Sequence, residues 1–222
     1  MIRVPESLDA ARAHRLADAV EASGDPVIVL VGGPETFCRG MDLAALVADE
    51  DAIRTGVEAF ARAVRAIRTS GRPVIAVVEG AALGGGVGIA AAADMVLATS
   101  HATFGLPEAV FGLVPGVVMP ILLERMLPQK ARWLALTGHA RSAAEALGLG
   151  LVDAIVAEDR LEVAVRHAIR QLSRAGSSAV GSLKRSFDDA AIARGVAETT
   201  RLLCTPEVGL AVRAFLDGDW PQ

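Results

Sequence analysis

Three short segments of this chain bring together residue types that bind and polarise small ligands. They are Phe37-Cys-Arg-Gly-Met-Asp-Leu43, Gly80-Ala-Ala-Leu-Gly-Gly-Gly-Val-Gly88 and Phe104-Gly-Leu-Pro-Glu108. Glycines such as Gly84, Gly85 and Gly86, placed where a strand turns into a helix, let a ligand approach the backbone closely. The helix start then leaves N–H groups unpaired and supplies the positive end of a dipole. Glu108 follows Pro107, where a first-turn carboxylate is favoured. Each segment also has a purely structural use: a tight turn with close helix–sheet packing, an ordinary loop, a capped helix start.

Other chemistries find less support. Gly86-Val-Gly-Ile-Ala-Ala91 formally fits a dinucleotide-binding pattern, but that reading leaves residues 37–43 without a role. No Lys-Ser/Thr pair follows the glycines, so a phosphate loop fails. His14, His101, His139 and His167 show no metal spacing, and no metal site is expected. No G-x-S-x-G elbow frames a serine nucleophile. Cys38 sits inside the first segment, where a small residue packs inward rather than attacking substrate.

The elements that must position these segments follow from hydrophobic patterning. Residues 5–22 and 51–70 carry apolar side chains at helical spacing. The continuous apolar runs 26–31 and 73–78, and the run 95–98, read as strands buried on both faces. Residues 84–93 form a helix of small residues, the chain from about Pro115 is mostly helical, and 152–156 is one more short strand. Strands alternating with helices imply a parallel sheet with right-handed crossovers. All three segments then lie at carboxyl ends of strands, where open α/β sheets bind ligands.

Composition narrows the partners. The 222 residues carry a formal charge of −4 and are 52% hydrophobic, which suits a packed core and not a nucleic-acid-binding surface. Lys is scarce, with only Lys130 and Lys184. The longest uncharged runs, 80–93 and 109–123, are short for a membrane span and are interrupted by Gly or Pro. No basic stretch with an apolar run opens the chain, and its only two cysteines, Cys38 and Cys204, make no disulfide framework; a cytoplasmic location is expected.

The ordered set of segments resembles the crotonase superfamily, the enoyl-CoA hydratase/isomerase family. Its patterns F-x-x-G-x-D-L, G-x-A-x-G-G-G and F-x-x-P-E fall on Phe37 to Leu43, Gly80 to Gly86 and Phe104 to Glu108. Gly112-Leu-Val-Pro-Gly116 fits the family's G-x-x-P-G, and Ala143-Ala-Glu-Ala-Leu-Gly-Leu-Gly-Leu-Val-Asp153 is similar to a later family region. The resemblance implies an α/β spiral of β-β-α turns, with a core over 1–150 and a helical region over 151–222 that makes a trimer or a dimer of trimers. It implies an acyl thioester, of coenzyme A or of a carrier protein's phosphopantetheine, as substrate, and no further cofactor. The backbone N–H groups of Met41 and Gly85 would form the oxyanion hole for its enolate, and Glu108 would move protons. Cys38, Arg39, Gly40, Asp42, Leu43, Leu83, Gly84, Gly86, Gly88, Pro107 and Phe111 would surround the substrate.

The departures from the family are informative. Its hydratases carry a second glutamate at the position of Gly88, so the group that activates water is missing. A single carboxylate suits isomerisation, with hydration or dehydration as the neighbouring expectation. A Lys that meets coenzyme A phosphates is replaced by Ala44-Ala45, and residues 116–131 are similar to crotonase-like enzymes of bacterial polyketide assembly. Decarboxylation in that setting, or a non-catalytic thioester-binding subunit, are therefore the alternatives.

Overall fold

In a computed structural model the chain is described over residues 1–46, 50–184 and 189–217. It opens with β1 (Ile2–Arg3), α1 (Ala10–Glu21), β2 (Ile28–Val31), β3 (Thr36–Cys38), α2 (Leu43–Leu46) and α3 (Glu50–Thr69). β4 (Val74–Val78), β5 (Ala81–Leu83), α4 (Gly85–Ala92), β6 (Met95–Thr99) and β7 (Thr103–Gly105) follow. A 3₁₀ turn, Pro107–Phe111, leads to α5 (Val118–Arg125), α6 (Pro128–Thr137), β8 (Arg141–Ser142), α7 (Ala143–Leu149) and β9 (Ala154–Val156). The chain closes with α8 (Leu161–Leu172), α9 (Ser177–Lys184), α10 (Asp189–Leu203) and α11 (Pro206–Leu216).

The strands form two sheets. One has five parallel strands in the order β1-β2-β4-β6-β9. The other has the order β3-β5-β7-β8, parallel except for its last pair. β2, β4 and β6 of the first sheet each feed a short strand of the second, β3, β5 and β7, before the chain returns through helices, which is the expected β-β-α spiral. The apolar runs serve both faces of the larger sheet. Ile28, Leu30, Ala76 and Val78 join the main core, while Val29, Ile75, Val77 and Leu97 form a second core with Val165 and Ala168 of α8. α1 and α3 pack together, with Leu16 and Val20 of α1 and Val57, Phe60 and Val64 of α3 in the main core.

Two features depart from the expectation. The first helix begins at Ala10 instead of residue 5, because the Asp9 side chain accepts the Arg12 N–H at 2.6 Å and caps it there. The second sheet was absent from the periodicity, since strands of two or three residues carry no readable period. At the amino ends of the large sheet, carboxylates hold neighbouring strands together. Asp94 accepts the Val74 N–H at 2.8 Å and the Lys184 ammonium at 2.6 Å. Asp153 accepts the Val96 N–H at 2.6 Å and pairs with Arg125.

Candidate active site

The first segment leaves β3 and crosses the entry to α1. Arg39 N–H donates to Glu6 O at 2.7 Å, Leu8 N–H to Gly40 O at 2.8 Å, and Asp42 N–H to Leu8 O at 3.0 Å. Gly40 takes φ +86°, a left-handed value that only glycine adopts freely. A Cβ there would lie 2.6 Å from Gly85 N and 2.9 Å from Leu83 O, so the turn is pressed against the second segment. At that segment β5 ends, Gly84 adopts φ +52° and donates its N–H to Gly105 O at 2.8 Å, and α4 begins at Gly85. Among the described residues, neither Met41 N–H nor Gly85 N–H has a hydrogen-bond acceptor. Both residues line the same cavity, of about 70 Å³.

Glu108 enters that cavity from the 3₁₀ turn after β7. Its Oε1 lies 3.1 Å from where a Cβ of Gly84 would stand, so the glycine leaves the room that the carboxylate takes. The residue is half-buried as a whole, but its Oε2 is sealed from solvent and has no hydrogen-bond partner among the described residues. Burial pushes its pKa from 4.5 up to about 7, against a smaller downward pull from its own backbone N–H. Desolvation therefore outweighs that single hydrogen bond.

Of the residues expected around the substrate, Arg39, Leu43, Gly84, Pro107 and Phe111 line the cavity with Met41, Gly85 and Glu108. The remaining six do not. Cys38 is fully buried, accepts Gly40 N–H at 3.4 Å through Sγ, and has its thiol pushed up to about 11 by burial. Gly86 packs on β3, where a Cβ would fall 2.0 Å from Cys38 O. Gly40 stands behind Met41 and Gly85 and sets their spacing. The Leu83 side chain points at Gly105, and Asp42 lies 3.9 Å from Arg12. Gly88 faces Val118 and Phe60: a Cβ on it would meet Val118 Cγ2 at 2.9 Å and Phe60 Cζ at 3.1 Å. The place of a second carboxylate is thus filled by hydrocarbon.

The sequence did not point to Phe60 of α3, the wall 113–118, or Thr199 of α10, all of which line the cavity. Gly112 to Gly116 was a motif, and its glycine-proline pattern was the available signal for the wall. Thr199 carried none. Its Oγ1 accepts Gly116 N–H at 3.2 Å and donates to Val114 O at 3.3 Å, an 83-residue separation for the first bond. Beside it Gly116 and Gly195 touch backbone to backbone, with a Gly195 Cβ position 2.0 Å from Gly116 O. His101 pairs instead with Glu158 at 3.3 Å on the surface. Among the described residues no group of three or more His, Cys, Asp or Glu is arranged to hold a metal, and no helix is long and apolar enough to cross a membrane.

Comparison with known proteins gives a consistent picture. The sequence profile described as enoyl-CoA hydratase/isomerase matches residues 4–201. A carnitinyl-CoA dehydratase of Proteus mirabilis is 33% identical over 191 residues, covering 82% of this chain and 72% of that protein. An enoyl-CoA hydratase of Mycobacterium avium subsp. paratuberculosis superposes with a TM-score of 0.82 at 30% identity, over 97% of this chain and 89% of the other. A candidate polyketide biosynthesis enoyl-CoA hydratase of Bacillus subtilis gives a TM-score of 0.86 at 25% identity, over 98% and 90%.

Proposed function

Since the chain belongs to the enoyl-CoA hydratase/isomerase family, we propose that it stabilises the enolate of an acyl thioester and shifts a proton along an enoyl chain, with Glu108 as the single acid/base. The observation that carries this reading is the Glu108 carboxylate, sealed at Oε2, unpartnered there and held near neutrality beside the Gly84–Gly85 turn. A group with a pKa close to working pH both accepts and returns a proton efficiently.

The thioester oxygen lies between the N–H groups of Met41 and Gly85, which have no other acceptor among the described residues. Glu108 takes a proton from C2 of a 3-enoyl thioester. The C–H electron pair passes through the carbonyl to that oxygen as a dienolate, which two preorganised donors stabilise by several kcal/mol. Glu108 then returns the proton at C4, and the double bond moves from C3–C4 to C2–C3. Arg39 sits at the rim of the cavity, with its Nε 3.1 Å from Glu6. Among the described residues that line the cavity it is the only cation, so no second cation is there to hold the carboxylate that a decarboxylase substrate carries. Similarity to a carnitinyl-CoA dehydratase favours one second reading, elimination of a 3-hydroxyl after the same C2 deprotonation.

The thioester's coenzyme A or phosphopantetheine arm belongs to the substrate, and this chemistry needs no cofactor beyond it. The proposal includes a core over 1–150, a region over 151–222 that makes a trimer or dimer of trimers, and a cytoplasmic location. Incubation of 3-enoyl and 2-enoyl thioesters with the protein in heavy water tests the reaction. Deuterium appearing at C2 and C4, with growth of the conjugated enoyl absorbance, is expected. A protein that binds these thioesters and exchanges nothing would be a binding subunit, and the catalytic reading would fall.

A further inference from the structure

We infer that Phe60 and Val118 are the specificity-determining residues that close the acyl end of this site and restrict it to short, straight acyl groups. The inference rests on the thioester reading above. Phe60 lies along the start of α4: its Cε2 and Cζ stand 3.1 Å from the Cβ position of Gly85, and its Cζ 3.1 Å from that of Gly88. Val118 Cγ2 is 2.9 Å from the same point on Gly88. Both side chains line the cavity and both are only 2% exposed. An acyl group whose oxygen reaches Gly85 N–H therefore meets the Phe60 ring and the Val118 methyl immediately behind it.

Volume and backing decide how much chain fits. An apolar cavity of roughly 150 Å³ takes a benzene ring. This one measures about 70 Å³, which by the same ratio leaves space for about three carbon-sized groups, enough for a short acyl chain. The wall does not yield cheaply. Val118 begins α5 directly after the turn that Thr199 and Gly195 clamp, where a Gly116 Cβ would fall 2.5 Å from Gly195 O. Phe60 belongs to the main core. A longer chain has to displace close-packed atoms, and overpacking of that kind is unfavourable. Met41 and Leu43 line the same cavity and are half-buried, unlike Phe60 and Val118.

The test measures binding of butanoyl, hexanoyl and octanoyl coenzyme A by calorimetry, and turnover of 3-enoyl thioesters of the same lengths. Wild-type protein, Val118→Ala and Phe60→Leu are compared. Octanoyl is expected to bind at least about 10-fold more weakly than butanoyl to the wild type, with the gap closing to about threefold in Val118→Ala. Octanoyl binding as tightly as butanoyl, or a gap that both folded variants preserve, overturns the inference. Should neither variant fold, the wild-type ratio alone decides. Saturated thioesters need no proton transfer to bind. A chain-length gap without turnover thus sinks the catalytic reading and leaves the end wall standing, turnover without a gap does the reverse, and no binding at any length sinks both.

Discussion

The two ends of the parallel strands treat acids in opposite ways. At the amino ends, Asp94 and Asp153 are engaged through Oδ2: each accepts a strand N–H and a cation, Lys184 for one and Arg125 for the other. At the carboxyl ends, Glu108 has one oxygen sealed and unpartnered, and its pKa is raised to about 7. A carboxylate that holds both a strand N–H and a cation ties strands together. An unsatisfied one is costly as an anion, and that cost is what holds its proton near neutrality. The difference teaches where the molecule keeps its stability and where it keeps its chemistry.

The largest effect expected from breaking this contrast is catalytic. Glu108→Gln preserves shape but cannot take a proton, so kcat should fall by about 10² to 10⁴ while thioester affinity changes little. Wild-type kcat in that variant would reduce Glu108 to a turn residue.

The next effect is on pH dependence, and it runs in two directions. The folded state holds the Glu108 proton more tightly than the unfolded chain, with a pKa of about 7 against 4.5. The stability this gives is fully present below pH 4.5 and is lost as pH rises through about 7, a swing on the order of 3 kcal/mol. Activity should rise over the upper part of that range, as the base form appears. Denaturant unfolding from pH 4.5 to 8 is expected to show the decline in wild type and not in Glu108→Gln. Identical pH slopes would remove the claim that this carboxyl is desolvated.

The same amide substitution at the other end should do the reverse. Asp94→Asn strands the ammonium of Lys184, whose side chain is 7% exposed, and should lower stability by about 2 kcal/mol. It should leave kcat nearly unchanged, because Asp94 does not line the cavity. A large loss of kcat in a folded Asp94→Asn protein would erase the division between the two ends.

The smallest effect expected is at Gly88. Adding a carboxylate with Gly88→Glu should give no gain in hydration of a crotonyl thioester, since Val118 and Phe60 occupy the space. A hydration rate raised tenfold or more would show that only the acid, and not the room, was missing.

Much of the fold was legible. The strands at 26–31, 73–78 and 95–98 and the helices at 51–70 and 84–93 appear within three residues of the bounds expected from hydrophobic spacing. Burial on both faces of a parallel sheet writes a continuous apolar run, and a long amphipathic helix writes its period. β3, β5 and β7, at three residues each, write neither; they became visible only as partners of one another. Of the cavity lining, Met41, Gly85 and Glu108 were legible because their motifs keep a fixed order along the chain. Cys38, Gly86 and Gly88 share those motifs yet turn to packing, because alternate positions around a strand end and a helix start face opposite ways.

The sequence by itself determined the positions of the turns, through glycines that alone accept φ +86° at Gly40 and +52° at Gly84, and it determined that a single acid follows the third strand. Only the tertiary structure decided what surrounds that acid. Phe60, Val118 and Thr199 come from helices far apart in the chain, and their approach to the glycine turn is a matter of close packing across the core. Desolvation depends on the sum of such neighbours, not on the residues beside Glu108 in sequence. For that reason the direction of its pKa shift, undecidable from the chain alone, is settled by the fold.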